Sequence, residues 1–265
     1  PDRTRGGPTG GGDRVTAQAR SGRAGGPLTS RHAGSTPSAT VVTLTLVTGA
    51  VDTLSFMALG DVFTSVMTAN LALLGLSVGS DDFVLTGHVA VALAGFVCGV
   101  LLGSRIAASG DPAKAPHRAA LAVETLLLCG FLAGWIAVGG RPSGGAEMGL
   151  LATAAIAMGC QSGMIRVIGT PTMSTTYLTG TLTGILAELA TKGRLQRANV
   201  VLIAVLPLGA ALSAILVTWA RTYAPVLPAG LLLTATLLSF VPPGEPPPGA
   251  HSAPDPAPGS GKVDP

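Results

Sequence analysis

Few side chains capable of chemistry lie inside the apolar segments of this 265-residue chain, and Asp52 is the first of them. It falls about twelve residues into an apolar run over 41–59. A carboxylate near the centre of a bilayer costs roughly 2.5–3.5 kcal/mol on insertion scales, so pairing, water or protonation must offset it. Two roles fit Asp52: a substrate-binding or coupling carboxylate, or a structural one bonded to a neighbouring helix. Arg166 is the natural partner, and its other reading is a snorkelling arginine near a helix end. Gln161, five residues earlier, would extend a polar path between them. Glu124, about two turns into its own apolar run, is a second candidate for a buried carboxylate.

Threonines form the second group. Thr64 and Thr68 lie four apart, as do Thr175, Thr179 and Thr183. In a helix a four-residue step lines one face. Asn70 and Thr181 stand beside these stripes. Hydroxyls so placed can satisfy backbone groups freed at a helix break, coordinate a substrate or ion, or tie helices together. Breaks stand ahead of both groups, at Gly60-Asp61 and at Gly169-Thr170-Pro171. Proline disfavours helix at the residue before it, so the chain should kink there. Asp61 suits an N-cap of the helix that follows the first break.

Other chemistry is not indicated. Cys98, Cys129 and Cys160 fall in apolar runs without metal-ligand spacing and read as small core residues. His88 begins a helix and His117 lies in a loop, neither with a ligand partner at metal spacing. There is no Walker lysine loop, nucleophile elbow or zincin motif, and none that would make Ser55 and His88 a hydrolase pair. Glu188 stands four before Lys192, a favourable pair on a helix surface. The expectation is no catalytic residue, no metal, no cofactor and no enzyme.

The elements that position these residues follow from composition. Apolar residues make up 48% of the chain and charged residues only 11%, against about 25% charged in average usage. That excludes a soluble domain and predicts an all-α polytopic membrane helix bundle. The net charge is +3, but Arg3, Arg5, Arg14, Arg20, Arg23 and Arg31 all precede the first apolar run. The basic balance therefore speaks to orientation and not to nucleic acid. Residues 1–39, rich in Gly and Arg, and the Pro-rich 242–265 read as disordered tails around a membrane domain over 40–241. Long polar sequence ahead of the first run does not resemble a signal peptide. Strong apolar runs cover 41–59, 86–108, 118–139, 147–169, 198–220 and 225–241, and hydroxyl-rich ones cover 62–79 and 172–190.

A shift of 111 residues lays Thr64 on Thr175, Thr68 on Thr179 and Leu71 on Leu182, and run 86–108 on 197–219. It predicts an internal duplication, with repeat one at about 40–139 and repeat two at about 147–241. Arg166 then takes the place of Ser55, one turn from Asp52. Basic residues concentrate in cytoplasmic loops. With the N-terminus inside, eight crossings leave four non-tail basic residues inside and five outside. Six crossings, with 62–79 and 172–190 dipping in and returning, put Arg105, Lys114, Arg118, Arg166, Lys192, Arg194 and Arg197 inside and only Arg141 and Arg221 outside. The six-crossing topology is preferred, with eight as the alternative. Three crossings per half make the repeats inverted, a recurring transporter design with broken segments at the midplane.

Residues 49–70 resemble the YoaK-like family of bacterial integral membrane proteins, a domain of unknown function. The resemblance rests on Val51, Asp52, Ser55 and Phe56, then Phe63, Met67, Thr68 and Asn70, with Ala69 where the family usually has Gly. The second half resembles it in Gly159, Gln161, Arg166, Gly169, Pro171 and the run from Thr175 to Thr183. It covers about 40–241 and implies a multi-pass inner-membrane protein without naming a reaction or substrate.

The functional expectation is a small-molecule or ion transporter or permease with a polar site between its halves. The alternative is a non-transporting scaffold or partner-binding subunit. Site candidates are Asp52, Thr68, Asn70, Gln161, Arg166, Thr175, Thr179 and Thr181, with helix breaks at Gly60, Gly169 and Pro171. The expected partners are the lipid bilayer and an unidentified small molecule or ion; a homo-oligomer is compatible with the sequence. The expected location is the bacterial inner membrane with the N-terminus cytoplasmic.

Overall fold

Long apolar runs leave their backbone no water to bond, so they close their hydrogen bonds internally as helices. A computed structural model describes residues 39–109, 116–168, 178–193 and 197–240, and both proposed tails lie outside them apart from Ala39. Among the described residues there are eight α-helices and no strand. They are α1 (Ala39–Ala58), α2 (Met67–Gly79), α3 (Phe83–Ser109), α4 (Pro116–Ala137), α5 (Gly144–Ile168), α6 (Leu178–Lys192), α7 (Arg197–Trp219) and α8 (Val226–Phe240). A single 3-10 turn, Arg221–Tyr223, joins the last two.

Helices α1, α3, α4, α5 and α7 are long and apolar enough to cross a membrane. Helix α8, expected as a sixth such span, has 15 residues. At 1.5 Å per residue it is roughly 22 Å long, short of a full hydrocarbon core. It lies along α4: Thr125 and Thr236 share a hydrogen bond of 2.7 Å, and Arg118 sits 5.5 Å over the Phe240 ring.

Two close crossings set the framework, one between α3 and α5 and one between α1 and α7. Both run on glycine. A Cβ at Gly99 would lie 2.1 Å from the Ile156 carbonyl oxygen, and one at Gly159 would lie 2.2 Å from that of Phe96. Gly49 and Gly209 meet the backbone of Leu206 and Leu46 as closely. Small residues let membrane helices approach until backbone meets backbone, which replaces the hydrophobic driving force that lipid does not supply.

Contacts at the helix ends fix direction. Gly95 faces Ala152 and Ala155, and Gly163 faces Ser104, so α3 and α5 run the same way. Helix α4 runs against α5, and the bend between them is clamped to the end of α7: Arg221 Nε donates to the Gly140 carbonyl at 2.9 Å, and Trp135 Nε1 donates to that of Arg221 at 2.9 Å. The start of α3 and the end of α1 reach this same Gly140 end, where His88 packs on Gly60 and lies 3.3 Å from Glu147. Helices α1, α4 and α7 therefore run toward the Gly140 end, and α3, α5 and α8 run away from it.

The path of α2 follows. The chain leaves α1 and enters α3 at the same end, so α2 returns to the side it came from. With 13 residues it is too short to span, and its end is tied to α3 by Ser77 and Thr86, whose hydroxyls lie 2.9 Å apart. Trp135, Phe131, Leu128 and Leu54 fill the core between the crossing helices.

Candidate functional site

The break after α1 is longer than the glycine at 60 indicated. Residues 59–66 are non-helical, and α2 begins only at Met67. Thr64 therefore does not share a helix face with Thr68, contrary to the four-residue spacing. A side chain that bonds backbone groups in extended or turn geometry competes with helix, and three such side chains converge here. The Asp61 N-cap is not found either: α2 is capped by Val66 without a side-chain hydrogen bond, and Asp61 is exposed with φ +57°.

Asp52 organises the break. Its Oδ1 accepts from the backbone amides of Thr64 and Ser65, both at 2.8 Å, and from the Thr64 hydroxyl at 2.9 Å. Its Oδ2 accepts from the Ser65 hydroxyl. Successive backbone N–H groups form a concave anion site, and here the anion is the chain's own buried carboxylate. Four donors, two of them amides that helix geometry would have used, surround the carboxylate locally. The expected partner, Arg166, is exposed near the end of α5.

Ser55 and Asn70 complete the clamp. Ser55 Oγ donates to the Val62 carbonyl at 2.8 Å, so this serine is a fastener of the break. Asn70 Oδ1 accepts from the Phe63 amide at 3.0 Å while its Nδ2 donates to the Phe63 carbonyl at 2.6 Å. The amide side chain thus replaces a missing helical turn in both directions, and Phe63 is stacked on Phe56 with centroids 5.0 Å apart. Gly60 has φ +87°, and a Cβ there would fall 2.1 Å from the His88 ring. That position needs glycine for both reasons.

Gln161 reaches the same face of α1 from α5. Its Nε2 donates to the Thr48 hydroxyl at 3.2 Å and approaches the Leu44 carbonyl at 3.4 Å. Thr48 is one turn before Asp52, so a buried polar seam runs along α1 from Thr45 to Ser55. The Oε1 of Gln161 is buried without a hydrogen-bond partner among the described residues.

Of the remaining described candidates, Thr68 and Thr181 are not among the buried residues of this seam. Thr68 is exposed on α2, and Thr181 is half-buried on α6. Thr175, Gly169 and Pro171 lie outside the described residues, as does the side chain of Thr179. Of the cysteines expected in the core, Cys160 is buried, Cys129 is half-buried and Cys98 is exposed, facing outward. Glu188 and Lys192 do pair, at 3.8 Å. Sequence spacing missed Ser65, Ser55 and the contact of His88 with Glu147. The available signals were the place of Ser55 in the family motif and, for Ser65, the density of hydroxyls on both sides of Gly60.

Irregular backbone at membrane depth is tolerated where it is buried in protein or lines a cavity. The Asp52 clamp fastens such a stretch beside the α1–α5 contact.

A family model described as "Protein of unknown function (DUF1275)" matches residues 40–238. The chain is also similar to the UPF0700 transmembrane protein YoaK of Bacillus subtilis (strain 168), with 32% identity over 159 residues. That alignment covers 57% of this chain and 66% of the relative, just under two thirds of its length. No solved structure matches.

Proposed function

The chain belongs to the DUF1275 family of membrane proteins, and we propose that it is a small-molecule or ion transporter whose polar site lies between two inverted halves. The observation that carries this reading is the 59–66 break, held inside the bundle by the buried Asp52. Transporters built from inverted repeats place broken helices of this kind at the midplane, where freed backbone groups and polar side chains meet the solute.

Several contacts support the duplication. Thr125 and Thr236, which bond across α4 and α8, are 111 residues apart. The same shift converts the approach of Gly49 to Ala210 into that of Cys160 to Gly99, and both pairs are in contact. Under it α1 corresponds to α5 and α3 to α7, and the members of each pair run in opposite directions. Arg105, Arg118, Arg166, Lys192 and Arg197 belong to the end away from Gly140, and Arg141 and Arg221 to the Gly140 end. The positive-inside rule makes the first of these cytoplasmic. In this reading the protein sits in the bacterial inner membrane with a cytoplasmic N-terminus, acts without an enzymatic step, and has lipid and one solute or ion as partners.

A scaffold or partner-binding subunit is the second reading, favoured by the completeness of the Asp52 hydrogen bonds. Thermal-shift measurements on the purified protein separate the two. A transporter gains melting temperature with some member of a metabolite and ion panel, and Asp52→Asn changes that gain. Wild-type protein unmoved by the whole panel would leave the scaffold reading standing.

A further inference from the structure

The titratable group least explained by the clamp is on another helix. Glu124 of α4 is fully buried, and neither carboxylate oxygen has a hydrogen-bond partner among the described residues. It stands next to Thr125, whose hydroxyl is spent on Thr236 and the Leu121 carbonyl. In the 111-residue shift its counterpart is Ala235, so the acid breaks the symmetry of the two halves beside their shared contact.

Among the described residues no cation bonds either carboxylate oxygen. Helix α8 has no titratable residue. From α5 the Cys160 thiol is buried, while Glu147 is at the far end with His88, and Arg166 is exposed near the helix end. From α3, Cys98 and Arg105 are exposed, and His88 is at the Gly140 end. On α4 itself Arg118 lies over Phe240, and Arg221 of the 3-10 turn bonds Gly140. No group of three or more metal-ligating side chains occurs among the described residues. An ionised carboxylate without partner in such a site is so costly that groups there neutralise instead. Intramembrane acids placed this way mark proton relays and ion pathways.

We propose that Glu124 is a proton-binding site: a neutral carboxylic acid in the conformation described here, which exchanges its proton with solvent when the bundle moves. This rests on the transporter reading, and it makes the proton the coupling ion. Binding and release involve the Glu124 carboxyl and water alone: the O–H bond breaks, water takes the proton, and the carboxylate is left in an opened, hydrated conformation. The asymmetry with Ala235 gives the bundle one such site.

Infrared spectroscopy of the full chain in liposomes tests it. A carboxylic-acid carbonyl band is expected at neutral pH. It should move on labelling with carbon-13 glutamate, which separates it from Asp52. It should vanish in Glu124→Gln and persist in Asp52→Asn. On transfer to heavy water it should shift within minutes, and it should be lost on alkaline titration while helical circular dichroism is unchanged. If Glu124→Gln does not fold, the isotope label still assigns the band, and Glu124→Asp should return it unlabelled. Absence of a glutamate acid band, or one that stays unshifted for hours in heavy water with the fold intact, overturns the proposal. The ligand panel reports separately. An exchanging band with no ligand response would sink solute transport, and a ligand response without the band would sink proton coupling alone.

Discussion

Asp52 accepts hydrogen bonds from both the backbone amide and the hydroxyl of Thr64, at 2.8 and 2.9 Å, across twelve residues of chain that include the end of a helix and a turn. Ser65 repeats the pair on the same carboxylate. One acidic side chain thereby substitutes for the helical hydrogen bonds that the break gives up.

Removing that acceptor should be costly. Asp52→Ala leaves buried donors unpaired, each worth about 1–3 kcal/mol, and a loss of roughly 3–5 kcal/mol is expected, as for other broken buried charge networks. Asp52→Asn keeps one oxygen and should lose about 1–3 kcal/mol. Equilibrium unfolding in detergent gives both values, and an alanine variant as stable as wild type would show that the clamp carries no weight.

The helix crossings predict a contrast among glycines. Gly99→Ala and Gly159→Ala force a Cβ into facing backbone and should destabilise by about 1–3 kcal/mol, the range for overpacking. Gly130 and Gly149 have nothing within 4 Å of a built Cβ. Their alanine variants should match wild type or gain up to about 1 kcal/mol from helix propensity. Melting temperatures of the four variants, run side by side, check this; equal losses at all four positions would contradict it.

Thr125 and Thr236 should behave as a unit. Each valine substitution is expected to cost about 0.6 kcal/mol, the mean for hydrogen bonds between membrane helices. The double variant should cost less than the sum, because Thr125→Val alone strands the buried Thr236 hydroxyl. A double-mutant cycle in detergent reads the coupling, and strict additivity would mean the pair contributes nothing.

Topology is testable by labelling cysteines placed at Asp61, Asp82 and Arg105 in a cysteine-free background. Asp61 and Asp82 should react from one side of the membrane, and Arg105 from the other. Labelling of 61 and 82 from opposite sides would mean that α2 crosses and that the halves are parallel.

Much of the architecture is legible in one dimension. Membrane class, the six strong runs and the two weaker ones follow from apolar length and charge scarcity, because a bilayer permits little but helices of matching span. The family resemblance rests on local motifs around Asp52, Asn70 and Gln161, and the family match over 40–238 agrees with it. The buried carboxylate of Glu124 is also indicated, since an acid two turns into an apolar run is costly against lipid.

Partnership was not legible. Asp52 and Arg166 are opposite charges in apolar runs, and reasoning from charge alone joins them. The tertiary structure gives Asp52 to Thr64 and Ser65, because a turn twelve residues on folds its free amides back onto the carboxylate, and neutral donors at close range need no cation. Thr64 spaced four from Thr68 looks helical until those donors are claimed. The length of a break, the packing of His88 on Gly60 and the isolation of Glu124 depend on which surfaces meet, and a sequence states which residues are polar without stating which of them touch.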